Sequence, residues 1–125
     1  LKYLQRWTDN RNEISKKYNQ QLTGISGLDL PIVDDNVISA FHLYVICVKN
    51  RDQMVRYLDE QGISSGLHYP VPIHLQNAYK GLGYKKGDFP ISEKNAEKCI
   101  SLPMFPELTD LQLDYVCKKI LNFLT

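Results

Sequence analysis

The sequence predicts a small α/β domain of the α+β kind, in which helices cover a three-stranded sheet. Helical and strand-like segments alternate along the chain, beginning and ending with a helix, and no internal repeat or low-complexity linker interrupts them. The 125 residues suffice for one domain with its own core, and 43% hydrophobic against 23% charged residues is ordinary for a globular domain. We therefore expect a single domain.

Charge and hydropathy exclude several classes of function. Fifteen basic and fourteen acidic side chains leave a net charge of +1, so the electrostatic pattern of a nucleic-acid-binding or membrane-surface protein is missing. Apolar runs stay well short of the roughly 18 residues of a membrane span, and the opening residues are too polar for a signal peptide. These observations predict a cytoplasmic protein.

Three cysteines, Cys47, Cys99 and Cys117, lie among apolar neighbours without CxxC spacing. An odd number in this pattern encodes neither a disulfide framework nor a zinc ribbon. We expect all three to be reduced core residues.

The first helix occupies residues 1–23. Its apolar stripe, broken at Arg11, consists of Leu4, Trp7, Ile14, Tyr18 and Leu22. Glycines and Pro31 end the helix. Because the pattern begins without a cap, we expect the chain to be part of a longer protein.

The first strand is predicted from β-branched and aromatic residues at 37–48, with its core at Ser39–Val48. Its lack of alternation predicts burial on both faces. His42 lies inside this run and is expected to be an interior residue rather than a ligand.

The second helix is predicted at Arg51–Gln61, with Asn50 as its N-cap and Gly62 as its C-terminal turn. A second strand at Gly66–Tyr69 follows. It leads into a segment that contains two prolines.

The residues Gly62–His74, GISSGLHYPVPIH, form what we call the proline arm. Pro70 and Pro72 each remove a backbone donor, fix φ and push the preceding residue towards extended geometry. A stiff arm of this kind can hold side chains in fixed positions, as a binding edge requires. The candidate binding residues on it are His68, Tyr69 and His74.

No other segment carries a recognised catalytic or metal-binding pattern. Gly81, Gly83 and Gly87 have GxGxxxG spacing but follow no strand and open no helix, so we interpret them as a loop rather than a dinucleotide site. The three histidines lack the local spacing of a zinc site. We therefore expect no bound metal.

The last part of the chain is predicted to contain a helix at Ser92–Cys99, a third strand at Cys99–Leu102, and a final helix. Thr109 and Gln112 form a capping-box pair. The stripe from Leu113 to Leu124 has regular helical spacing and should pack on the sheet.

From Phe41 to the end, the chain resembles the C-terminal segment of the DegT/DnrJ/StrS family of pyridoxal-phosphate-dependent sugar aminotransferases. The ordered landmarks are RD, a helix ending in GI, HYPVPIH, an AY pair, GDFP, SE and SLPMFPELT before a final amphipathic helix. Asn77 departs from the pattern, because relatives often carry proline there. The opening helix resembles the helix that leads out of the family's large domain.

The resemblance implies the C-terminal small domain of an aspartate-aminotransferase-type (fold type I) homodimeric enzyme. Such an enzyme transfers an amino group, usually from glutamate, to a nucleotide-linked keto-deoxysugar in surface polysaccharide or amino-sugar biosynthesis. It also implies that the Schiff-base lysine lies upstream of Leu1, in a large domain that binds pyridoxal phosphate and is absent here. No catalytic or cofactor-binding residue is then expected in this chain, which alone should bind no cofactor and be inactive. His74, His68 and Tyr69 would bind substrate in the complete enzyme.

The expected division is a connecting helix at 1–23 and a sheet-helix core at 37–125. Without the large domain, the stripe around Trp7 and Ile14 should be exposed and promote self-association. Two alternatives stay open: a protein-interaction module that uses the proline arm, and the small domain of a regulatory aminotransferase homologue.

Overall fold

A computed structural model describes all residues, 1–125. Four helices and three strands make up the fold, with two 3₁₀ helices at Ile73–Leu75 and Asn77–Leu82. In chain order the elements are α1 (Leu4–Leu22), β1 (Leu28–Asp29), β2 (Tyr44–Val48), α2 (Arg51–Glu60), α3 (Pro90–Lys98), β3 (Cys99–Leu102) and α4 (Asp110–Leu124). None of the helices is long and apolar enough to cross a membrane.

The sheet is antiparallel throughout, with β2 between β1 and β3. Tyr44, Ile46 and Val48 of β2 face a core that also contains Ile100 and Leu102 of β3. A three-stranded sheet covered by helices confirms the predicted fold class.

The central strand is shorter and less buried than predicted. It begins at Tyr44 because the backbone before it bonds to α1: Arg11 Nε donates to the Ala40 carbonyl and Asn12 Nδ2 to the Ser39 carbonyl. Burial alternates along β2, so the expectation of burial on both faces is wrong for this chain.

His42 is exposed, and the prediction that it is an interior residue is wrong. The cause is the turn before β2. Phe41 has a φ of 39° and points its ring into the core, which leaves the next side chain outward.

The predicted strand at Gly66–Tyr69 is reduced to a single bridge. Gly66 exchanges two backbone hydrogen bonds with Ser101, of 3.0 and 2.8 Å, on the edge of β3 that β2 leaves free. The pairing ends there, and the prolines that follow lack the N–H groups needed to extend it. The third strand of the sheet is instead β1, two residues in a segment that the sequence pattern indicated only as a helix breaker.

The stripe of α1 divides into two halves. Tyr18 and Leu22 are fully buried, and Ile14 is only 6% exposed, so the expected exposure of Ile14 is wrong. Leu4 and Trp7 are exposed as predicted. The buried half is anchored by Tyr18, whose hydroxyl donates to the Pro103 carbonyl at 2.9 Å.

Backbone geometry explains where α2 begins and ends and where α3 begins. Gly62, at a φ of +72°, terminates α2 as predicted. Asn50 caps α2 differently from the prediction, because its side chain makes no cap bond and its carbonyl accepts from Gln53 and Met54. α3 begins at Pro90 rather than behind Ser92, since proline is well suited to the first helical position.

The last helix is confirmed. Thr109 and Gln112 form the predicted capping box. Leu113, Val116, Cys117 and Ile120 enter the core cluster that includes the inner face of the sheet. The same cluster contains Tyr44, Ile46 and Val48 of β2, as expected for a helix that packs on the sheet.

All three cysteines are free thiols, as predicted. Cys99 and Cys117 are buried. Cys47 is half-buried on the outer face of β2, so the prediction that it is a core residue is wrong.

Candidate functional site

The first histidine of the proline arm is held against β3. His68 Nδ1 lies 2.9 Å from Oγ of Ser101, a buried residue of that strand. The His68 ring also contacts Tyr69 edge-on, with centroids 5.4 Å apart. His68 is therefore positioned by a side-chain hydroxyl from the sheet.

Gly66 provides the space for this arrangement. A Cβ atom built on Gly66 would lie 2.6 Å from Cε1 of His68, closer than atoms can pack. Any larger residue at this position would move the imidazole away from Ser101. The glycine is thus required by the position of the histidine ring.

The second histidine forms a buried polar pair with α3. His74 Nε2 lies 3.0 Å from Oε1 of Glu93, and the two side chains are 8% and 10% exposed. Because a carboxylate only accepts hydrogen bonds, Nε2 is the donor. The His74 ring also lies tilted against Phe89 at 4.8 Å.

Glu93 connects the proline arm to the glycine loop, which we define as residues 83–89. The Gly87 N–H donates to both carboxylate oxygens, at 2.8 and 3.0 Å, and the Phe89 N–H donates to Oε1 at 3.3 Å. Gly87 has a φ of +99°, which glycine adopts without strain. One carboxylate thus fixes both the second histidine and the loop that crosses it.

Burial of the Glu93 carboxylate acts to raise its pKa, because desolvation disfavours the charge. Hydrogen bonds from the Gly87 N–H, His74 and the Phe89 N–H outweigh burial and hold the pKa below its ordinary value. Glu93 is therefore an ionised anchor rather than a proton donor near neutral pH.

The three candidate binding residues of the arm line two cavities. His68 and Tyr69 line one of about 370 Å³, together with Cys47 and Cys99 of the sheet. His74 lines the other, of about 330 Å³, whose wall includes Phe89. The three predicted binding residues thus belong to adjoining cavities, which share Ile73 and Ser92 in their walls.

Glu93 and Ser101 are polar partners that sequence reasoning missed. Both occur in landmarks of the family resemblance, SE and SLP, but the residues alone gave them no role. The sequence signal for Glu93 was its place on a short predicted helix, three positions before the apolar Ala96. Its partner lies 19 residues away, and spacing does not reveal such a pair.

A separate groove of about 680 Å³ lies between the start of the proline arm and α4. Its walls are mainly apolar, and Leu111 and Tyr115 contribute from the helix. Neither arm histidine reaches it. We therefore assign the candidate site to the two smaller cavities.

The side chains at these cavities do not fit pyridoxal phosphate by themselves. Neither cavity is lined by a lysine, which Schiff-base chemistry requires. The loop N–H groups that could face a phosphate, those of Gly87 and Phe89, already donate to Glu93.

Known proteins similar to this chain form one consistent group. The model of the DegT/DnrJ/EryC1/StrS aminotransferase family matches residues 1–121. A pleiotropic regulatory protein of Geobacillus stearothermophilus is 41% identical over 97% of this chain and 33% of its own length. The dTDP-3-amino-3,4,6-trideoxy-alpha-D-glucose transaminase of Streptomyces venezuelae is 34% identical over 86% of this chain and 28% of its own length.

The solved structures agree with the sequence relatives. The crystal structure of S. venezuelae DesV in complex with a ketimine intermediate superposes with a TM-score of 0.95 at 32% identity, covering 98% of this chain and 33% of that one. This chain spans about a third of the length of these relatives. With nearly every residue matched, the chain belongs to the DegT/DnrJ/EryC1/StrS aminotransferase family.

Proposed function

We propose that this chain is the C-terminal small domain of a pyridoxal-phosphate-dependent aminotransferase that acts on nucleotide-linked keto-deoxysugars. One observation carries the proposal: 98% of the chain superposes on a third of DesV, a structure that holds a ketimine intermediate. A ketimine belongs to amino-group transfer by this cofactor. The remaining two thirds of the complete enzyme would supply the Schiff-base lysine and most of the cofactor contacts.

The substrate class is supported by the names of the relatives. Two of them are transaminases that form different dTDP-linked aminosugars, and a third is a spore coat polysaccharide biosynthesis protein. We infer glutamate as the amino donor, a homodimeric enzyme in the cytoplasm, and a role in surface polysaccharide or amino-sugar biosynthesis.

We assign 1–23 to the helix that connects this domain to the large domain, and 37–125 to the sheet-helix core. The connecting helix is rigidly joined to the core, since Tyr18 stacks on Tyr44 at 4.7 Å and Lys17 pairs with Asp110. Motion of the large domain relative to the sheet would therefore be transmitted through α1 as a rigid element.

His74, His68 and Tyr69 are proposed to contact the substrate in the complete enzyme. Glu93 occupies Nε2 of His74 and leaves Nδ1 as the ring nitrogen open to a ligand. Tyr69 is 71% exposed, so its hydroxyl is free to meet a sugar or phosphate group. Their fixed backbone would limit the entropy lost on binding.

The proposal is tested with the complete reading frame from which this sequence comes. The full-length protein, supplied with pyridoxal phosphate, glutamate and a nucleotide-linked keto-sugar, should release 2-oxoglutarate. The 125-residue chain should do so at no measurable rate and should not shift the absorbance band of pyridoxal phosphate. Inactivity of the full-length protein, or a band in the short chain that one lysine replacement abolishes, would contradict it.

A regulatory homologue is the second candidate function. It is favoured by the 41% identity to a relative named as a pleiotropic regulatory protein. The two functions differ in the large domain: an aminotransferase needs the Schiff-base lysine, and a regulator that has lost activity does not. An independent protein-interaction module is not supported by these matches.

A further inference from the structure

Two thiols face each other across the sheet. Cys47 of β2 is the register partner of Cys99 of β3. Paired residues of an antiparallel ladder project from the same face. Both cysteines accordingly line the cavity that contains His68 and Tyr69.

The hydrogen-bond pattern makes this a closely spaced pair. Ser101 directs both its N–H and its carbonyl to Gly66, away from β2. Because bonding alternates along a strand, Cys99, two residues earlier, also lacks ladder bonds to β2, and its N–H instead bonds to Asn95 of α3. Directly opposed residues without ladder bonds have Cα atoms about 4.5 Å apart, within the range of about 4.4 to 6.8 Å that a disulfide spans.

The two thiols differ in solvent exposure. Cys47 is half-buried in the cavity wall, whereas Cys99 is buried. Burial raises the pKa of Cys47, with Cys99 and Asp29 adding to the effect and Lys98 and Lys94 opposing it. The thiolate is thus a minor species near neutral pH, so exchange should be slow and should accelerate as pH rises.

We propose that Cys47 and Cys99 form a dithiol modification site, which exchanges with low-molecular-weight disulfides such as oxidised glutathione and closes to an internal disulfide between β2 and β3. The Cys47 thiolate attacks oxidised glutathione, forms a mixed disulfide and releases one glutathione thiolate. The Cys99 thiolate then attacks the Cys47 sulfur and releases the second. Two protein thiols are oxidised, one glutathione disulfide is reduced to two thiols, and these take up the two protons.

Closure would alter the candidate binding edge. Both sulfur atoms belong to the wall of the cavity shared with His68 and Tyr69, and Ser101, which holds His68, lies two residues from Cys99. The site does not depend on the proposed enzymatic function, since it needs only the sheet.

The test uses the reduced 125-residue chain incubated with oxidised glutathione at mildly alkaline pH. Thiol titration in denaturant should fall from three free thiols to one. Mass spectrometry should show the loss of two hydrogens, and proteolysis should yield one peptide pair joined through Cys47 and Cys99. The remaining thiol should be Cys117, which is fully buried in α4.

Two cysteine variants test the resolving role of Cys99 and the absence of any role for Cys117. Cys99→Ser removes the resolving thiol, so a stable glutathione adduct should accumulate on Cys47. Cys117→Ser should close the internal disulfide as fast as the unmodified chain. The proposal would be overturned if all three thiols persist, if a stable adduct remains on the unmodified chain, or if a disulfide includes Cys117 or links two chains. All of these outcomes are measured on the unmodified chain, so they decide the question even if a variant fails to fold.

Discussion

At the scale of single residues, the two arm histidines are held by different partners. His68 is bound to a serine of the sheet, whereas His74 is bound to a carboxylate that also fixes a loop. An alanine at position 74 would therefore remove both a candidate substrate contact and a structural bond. A substitution that separates the two effects is needed.

We expect His74→Gln to raise the KM of the complete enzyme for the nucleotide sugar by roughly ten-fold, with little change in thermal stability. The glutamine amide can still donate to Glu93, while the second ring nitrogen is lost, and such a bond to a charged phosphate is worth about 1.5 to 3 kcal/mol. Steady-state kinetics and thermal denaturation are the measurements. An unchanged KM would show that His74 serves only the fold.

Glu93 should make the stability of the chain dependent on acid pH. Its folded-state pKa is depressed, so its contribution is complete above the ordinary value of 4.5 and is lost as pH falls through the lower folded value. Glu93→Gln should lower the melting temperature at neutral pH and flatten its decline in acid. The control is Glu97→Gln on the same helix, an exposed residue that should change neither. Equal acid profiles for the chain and Glu93→Gln would contradict the assignment.

At the scale of elements, the helices and strands that are predicted correctly are those whose signals lie within their own sequence. α4 carries its own capping box and an apolar stripe, so its sequence suffices to predict it. β1 has two residues and Gly66 makes one bridge, and in both cases pairing depends on partners distant in the chain. Sequence patterns do not contain that information.

Thr109→Ala should destabilise the chain by about 1 kcal/mol, because the hydroxyl that caps α4 is lost. Urea denaturation followed by circular dichroism gives the value from the shift in midpoint at constant slope. Thr8→Ala, inside α1, is the matched control and should be neutral or slightly stabilising, since alanine is the better helix former. A cost below about 0.3 kcal/mol at Thr109 would mean that the cap is not formed in solution.

The fold could be predicted from the sequence further than the site. Helical periodicity and the β-branched run before Val48 are local, so the class and most elements follow from them. The site depends on His74 meeting Glu93 and on His68 meeting Ser101, contacts over 19 and 33 residues. The positions of the histidines were predictable from the prolines, whereas their partners required the tertiary structure.

At the scale of the whole molecule, the apolar side chains at the start of α1 are left without a covering layer. Tyr3, Leu4 and Trp7 project together from the start of α1, and Trp7 is 37% exposed. We expect this patch to drive weak self-association of the 125-residue chain. Sedimentation velocity over a range of concentrations should detect it, and Trp7→Gln should weaken it.

The control for self-association is Leu111→Gln, which removes an equally apolar exposed side chain from α4. It should leave the sedimentation profile unchanged. If Leu111→Gln abolishes association and Trp7→Gln does not, the contact surface lies at α4 and the prediction for α1 is wrong.

The attachment of the glycine loop to Glu93 has a consequence for hydrogen exchange. Residues 83–89 contain no helix or strand, and the backbone of such a segment ordinarily exchanges its amide protons quickly. The amides of Gly87 and Phe89, however, donate to a buried carboxylate and should exchange far more slowly than the free amide of Lys86, which precedes them. Exchange followed by NMR should show the amides of Gly87 and Phe89 protected relative to that of Lys86, and Glu93→Gln should accelerate both.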